Sequence, residues 1–201
     1  MKRIRIAAWI AVAAVLAAVG IAYVWWPNLG LVSSRMPLSA SIGGPFELTT
    51  QDGRRLSSAE LKGRPFALFF GFTHCPDVCP TTMLELSNVI KQMGPDADRM
   101  RFFFVSVDPE RDTPDLLKLY LSNFDPRITG LVGTPAEIAA VARSYRAFYE
   151  KVPTKDGFTF NHTALVYLMD REGHLAGTLN YQEPEDVQVK KLRRLVGQSS
   201  S

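Results

Sequence analysis

Of the 201 residues, 46% are apolar and 10% aromatic, ample for the core of one ordinary globular domain. The formal charge of +3 reflects 23 basic against 20 acidic residues, and setting aside Lys2, Arg3 and Arg5 leaves 20 of each sign. A neutral body excludes the broad basic surface of a nucleic-acid binder and assigns the basic excess to membrane topology.

The basic stub 1–5 precedes residues 6–26, which are 21 positions without a charge. At about 1.5 Å per residue such a helix reaches roughly 30 Å, the apolar thickness of a bilayer. It is longer than the roughly 7–15-residue core of a cleavable signal peptide. Tyr23, Trp25 and Trp26 at its end suit the interface. The reading is a transmembrane anchor at 6–26 with the N-terminus in the cytoplasm. For a bacterium the remainder then lies in the periplasm, where disulfides form. Leu38-Ser39-Ala40 is a faint alternative cleavage site, and no cysteine follows the apolar core to carry a lipid. Residues 27–40, polar and punctuated by Pro, Gly and Ser, read as a linker, 41–197 as the folded domain and 198–201 as a tail. There is no internal repeat.

Within the domain, residues 46–50 and 54–56 flank Gln51-Asp52-Gly53, a hairpin signal. Residues 67–72 form a continuous apolar run, as expected of a strand buried on both faces. Met83, Leu86, Ile90 and Met93 recur at helical spacing over 81–93, and Gly94-Pro95 stops that helix. Residues 101–107 form a second buried strand, so the three elements make a βαβ unit with parallel strands. Thr113 caps the next helix with Pro114 in its first turn, and Leu116, Leu117, Tyr120, Leu121 and Phe124 supply its apolar stripe. Residues 128–132 read as a short strand, and Thr134-Pro135 starts a helix with Ile138, Val141, Ala142 and Tyr145 inward. Residues 158–163 read as a loop entering a strand at 164–169. A turn at 170–173 then leads to an antiparallel partner at 174–179. Pro184 opens a last helix rich in cations at its C-terminal end. The sum is an α/β layer, a mixed sheet with helices on both faces and an N-terminal hairpin extension. This order matches a thioredoxin-like fold.

Cys75 and Cys79 are the only cysteines, and both lie in the run Gly71-Phe72-Thr73-His74-Cys75-Pro76-Asp77-Val78-Cys79-Pro80. This turn follows the first long strand, at its carboxyl end, where open α/β sheets place ligands. A disulfide across three residues closes too small a loop to staple a fold effectively. The pair therefore reads as a redox dithiol or a soft-metal site, Cu(I) above all outside the cytoplasm. Cys79 falls at a helix N-terminus, so it is expected to ionise more easily than a free thiol. A copper site on two sulfurs calls for a third ligand, normally imidazole. His174 beside a turn glycine reads as exposed. His74 adjoins Cys75 and reads as a flanking group. His162, in Asn161-His162-Thr163, occupies the stretch where thioredoxins keep a proline before the strand. By pattern alone it is equally a ligand or a hydrogen-bonded histidine at a strand edge. Asp77 and Asp108 are candidates for steering a cation to the mouth, and Phe102, Phe103 and Phe104 read as core.

At these residues the chain resembles the Sco/SenC family of membrane-anchored copper proteins. The likeness runs over most of the domain: Gly44-Pro45-Phe46-Glu47-Leu48, the cysteine motif over 71–82, Ser106-Val107-Asp108-Pro109-Glu110-Arg111-Asp112-Thr113-Pro114, and Asn161-His162-Thr163 at the family's distal histidine. The resemblance implies that Cys75, Cys79 and His162 bind one copper ion, as Cu(I) or Cu(II). It further implies help in assembling the dicopper centre of cytochrome c oxidase, with dithiol–disulfide chemistry at the same pair. The implied partners are the oxidase subunit carrying that centre, a periplasmic copper donor and a thiol reductant. Family members often carry Asp before the distal histidine, where this chain has Asn161. Two enzymatic readings compete. One is a metal-free periplasmic thiol–disulfide reductase that needs only Cys75 and Cys79. The other is a peroxiredoxin-like peroxidase with Arg143 or Arg146 assisting.

Overall fold

The computed structural model describes residue 16, residues 42–180 and residues 182–197. The anchor expected at 6–26 (apart from Leu16), the linker and the tail lie outside the described residues. Among the described residues, no helix is long and apolar enough to cross a membrane.

Seven strands form one mixed sheet: β1 (Glu47–Thr50), β2 (Arg55–Ser57), β3 (Phe66–Gly71), β4 (Arg101–Ser106), β5 (Ile128–Val132), β8 (Leu165–Met169) and β9 (Leu175–Asn180). Their spatial order is β2-β1-β5-β4-β3-β8-β9. β3, β4 and β5 are parallel neighbours, while β8 runs antiparallel to β3, and β1 antiparallel to β5. All six residues of β3 are buried, which is why that strand reads as an unbroken apolar run. The remaining strands, β6 (Tyr149–Thr154) and β7 (Gly157–His162), pair only with each other. The stretch before β8 is therefore an ordered hairpin and not the loop expected at 158–163.

Among the described residues, four α-helices connect and cover the sheet: α1 (Val78–Met93), α2 (Pro114–Leu121), α3 (Pro135–Tyr145) and α4 (Glu185–Gly197). α1 starts three residues earlier than the apolar periodicity suggests, because Val78 and Cys79 already have helical backbone ahead of Pro80. Thr113 caps α2 by accepting from Leu116 N at 3.2 Å, and Thr134 with Glu137 forms a capping box on α3. The successive parallel crossovers set α1 and α2 on one face of the sheet. There Phe69, Phe104 and Tyr120 pack ring to ring. α3 covers the other face, where Tyr145 meets Phe70 and Tyr167. Phe102, Phe103 and Phe104 are core, as read.

Candidate metal centre

The site is built at the carboxyl end of β3. The chain leaves β3 through Phe72, turns with Cys75 N donating to Phe72 O at 3.2 Å, and enters α1. Cys79, in the first turn of α1, is fully buried, while Cys75 in the preceding turn is partly exposed; both are thiols. Seating the Cys79 sulfur requires glycine at 71. A Cβ there would stand 2.9 Å from Cys79 Sγ and from Phe104, and 2.8 Å from Phe69.

β7 delivers His162 to the same place. Its Nε2 lies 3.3 Å from Cys79 Sγ. The imidazole is caged edge-to-face by Phe69 and Phe72 at centroid distances of 5.8 and 5.7 Å. Its Nδ1 is 3.2 Å from the Thr163 carbonyl oxygen. A carbonyl only accepts, so Nδ1 holds the proton and Nε2 offers its lone pair to the sulfurs. Asn161 is exposed, on the opposite side of the strand from His162. The carbonyl of Thr163 thus orients the ring, and the Asn at 161 leaves that role untouched. Ligand atoms of Cys75, Cys79 and His162 all lie within 4.8 Å of one another.

Cys79 is not the acidified thiol expected. The Cys79 N–H at the helix start donates to Cys75 Sγ at 3.5 Å, so the helix terminus stabilises charge on the residue before it. The Cys79 thiol first, then nearby backbone N–H groups, pull Cys75 down to about 3 despite its partial burial. Cys79 is pushed up by its hydrogen bond to the Cys75 thiolate, by burial and by the charge on Cys75.

Of the other residues singled out, His174 is exposed, as read, 3.6 Å from Asp170. His74 flanks the site with Nδ1 3.0 Å from Thr73 Oγ1. Arg143 and Arg146 sit at the C-terminal end of α3, while the dithiol sits at the start of α1. Asp77 is exposed beside the mouth. Asp108 is not at the mouth: it is fully buried and pairs with Arg111 Nε at 2.5 Å. Asp108, Asp112 and His74 form a second group of donors within 4.8 Å. Its Asp112 carboxylate, however, is engaged in holding the chain. Asp112 Oδ2 accepts from Thr73 N at 3.0 Å and Ser106 Oγ at 2.6 Å, and Oδ1 from Thr73 Oγ1 at 2.6 Å. Sequence reasoning assigned 108–114 to a strand end and a cap, and so missed Arg111 and Asp112. It also missed the β6–β7 hairpin, although Asp156-Gly157 between two alternating runs is a hairpin signal.

Residues 34–197 match the SCO1/SenC family model. Protein SCO1 homolog 1, mitochondrial, of Arabidopsis thaliana is 43% identical over 138 residues, 66% of this chain and 40% of that protein. Protein SCO2, mitochondrial, of Saccharomyces cerevisiae is 36% identical over 163 residues, 79% of this chain and 54% of that one. The chain spans about half the length of these curated relatives. The solved structure of Bradyrhizobium japonicum ScoI with copper bound is 53% identical, with a TM-score of 0.73 over 77% of this chain and 99% of that one. The matched stretch takes in the mixed thioredoxin-like layer, the cysteine turn and the distal histidine together, and on that ground the chain belongs to the SCO1/SenC family.

Proposed function

We propose that Cys75, Cys79 and His162 hold one copper ion, and that the protein delivers it to, or prepares, the dicopper centre of cytochrome c oxidase. The observation that carries this reading is the convergence of two sulfurs and Nε2 within 4.8 Å. The donor set suits the cargo: thiolate selects Cu(I), and imidazole suits copper in both states. Two thiolates and a neutral imidazole give a net charge of −1 with Cu(I) and zero with Cu(II), so neither state carries a large buried charge. Copper-bound ScoI, similar over nearly its whole length, supports the same choice. The proposal includes a bacterial inner-membrane anchor at 6–26 with the domain in the periplasm. Its support is the 21 uncharged residues that follow Lys2, Arg3 and Arg5.

The test is an anaerobic Cu(I) titration of the full-length protein in detergent, wild type beside His162→Ala. Wild type is expected to take one equivalent, and His162→Ala to bind at least about tenfold more weakly, equivalent to about 1.4 kcal/mol. Equal affinity in the two would overturn the three-ligand site.

The asymmetry of the thiols favours a second reading, dithiol–disulfide exchange. The partly exposed Cys75 thiolate attacks a partner disulfide and releases one partner thiolate. Cys79 then gives up its proton and attacks the mixed disulfide, which frees the second thiolate and leaves Cys75–Cys79 oxidised for an external thiol reductant. This activity needs no imidazole, so it survives in His162→Ala.

A further inference from the structure

The β6–β7 hairpin carries His162 yet shares no ladder with the main sheet. Its position therefore depends on side-chain contacts. Some belong to the site: Phe160 packs on Phe72 at 5.4 Å, and His162 on Phe69 and Phe72. Others come from the turn after β4. Lys151 pairs with Glu110 at 2.7 Å, but both side chains are largely exposed, and such pairs hold weakly. Arg111 is different. Its Nε pairs with the fully buried Asp108, its Nη1 donates to Phe158 O at 3.0 Å, and its guanidinium carbon lies 3.9 Å from the centroid of the Phe158 ring. One planar group thus meets three partners in three directions, which an ammonium cannot reproduce. Asp108 Oδ1 and Arg111 Nη2, both buried, are each without a partner. They are complementary in charge and belong to the same ion pair, so the pair keeps capacity for a second bond.

Phe158, Phe160 and His162 follow at every second position of β7, and so share one face of a ribbon. Fixing Phe158 fixes the direction in which the imidazole points. The same turn also holds the sulfur side, because Asp112 binds Thr73 N and Oγ1 two residues before Cys75. Residues 108–112 thus grip both halves of the site.

We propose that Arg111, braced by Asp108, is a positioning residue of the copper site: it latches the β6–β7 hairpin to the turn after β4 and so holds His162 over the dithiol. This rests on the copper reading for its functional consequence, though not for the latch itself.

The test uses the full-length protein in detergent and the variant Arg111→Lys, which leaves a cation against Asp108. In the metal-free protein, amide hydrogen exchange over 149–162 is expected to rise about tenfold or more, with β3, β4 and β5 unchanged. Cu(I) affinity is expected to fall toward that of His162→Ala, and Cu(II)-loaded protein to lose the nitrogen superhyperfine splitting of the imidazole. In the double variant Arg111→Lys/His162→Ala, Arg111→Lys is expected to cause no further loss, since it acts only through His162. Unchanged exchange in the hairpin, or an equal loss of affinity with and without His162, overturns the proposal. If His162→Ala binds copper like wild type, the copper reading fails and hydrogen exchange alone decides the latch. Should Arg111→Lys not fold, Arg111→Gln, which keeps a planar donor but removes the cation, is read in the same way.

Discussion

The first N–H groups of a helix stabilise whichever anion they point at, and here that anion sits on the residue outside the helix. Cys75 Sγ receives the Cys79 N–H, while Cys79 Sγ is packed against Gly71 within the core. Spacing alone marks the two sulfurs and the helix start. It does not encode the direction of one N–H bond, so it assigns the acidic thiol to the wrong cysteine. The consequence is a pH signature. An ordinary thiol below its pKa reacts about tenfold faster for each added pH unit, because only the thiolate is nucleophilic. Cys75, held at about 3, is ionised at every pH above that range. Alkylation of the reduced, metal-free protein by iodoacetamide is therefore expected to be nearly flat between about pH 5 and 8, and peptide mapping is expected to find the label on Cys75. A rate that climbs steeply with pH, or label mainly on Cys79, contradicts the assignment. His162 was legible as a residue but open as to role. What brings it to the dithiol is a contact between positions 79 and 162, which no local pattern contains.

Among the elements, those with strong periodicity were legible nearly to the residue: β5, α2 and α3 begin where the caps and apolar runs say they should. The β6–β7 hairpin was not, because it packs few apolar side chains and carries Glu150, Lys151, Pro153 and Lys155, so its strands lack the buried signature. The turn at 108–112 was read as a helix approach because capping accounts for Thr113 and Pro114 without reference to anything distant. Its carboxylate at 112 nevertheless ties β4, α2 and the dithiol turn together through three accepted hydrogen bonds. Both oxygens of Asp112 face donors, so an alanine there would leave the Thr73 N–H and the Thr73 and Ser106 hydroxyls without their acceptor. Asp112→Ala is thus expected to destabilise the fold by about 2–3 kcal/mol, the scale of hydrogen bonds to a buried charge left unmade. Urea denaturation checks this: the midpoint is expected to fall with the slope unchanged. A midpoint within error of wild type would mean that the turn is held by other contacts.

At the scale of the whole chain, charge and apolarity divide the sequence into two parts. The body is neutral overall once Lys2, Arg3 and Arg5 are set aside, and the stretch that follows them is 21 residues without a charge. Two physical modes of membrane attachment predict different behaviour. Held only by its three basic side chains, at about 1 kcal/mol each near an anionic surface, the protein would come off as salt shortens the Debye length. Held by a spanning apolar helix, it would be indifferent to salt, because burial in hydrocarbon is not screened. A cleaved leader gives a third outcome, a shorter soluble protein beginning near Leu38-Ser39-Ala40. Expressed at full length in a bacterium, the protein is expected to sediment with membranes in about 1 M salt, to be released by detergent, and to retain residue 2 in its intact mass. Release by salt alone would reassign residues 6–26 to the membrane surface. A mass lacking roughly the first 40 residues would mean that the anchor proposed at 6–26 is cleaved off.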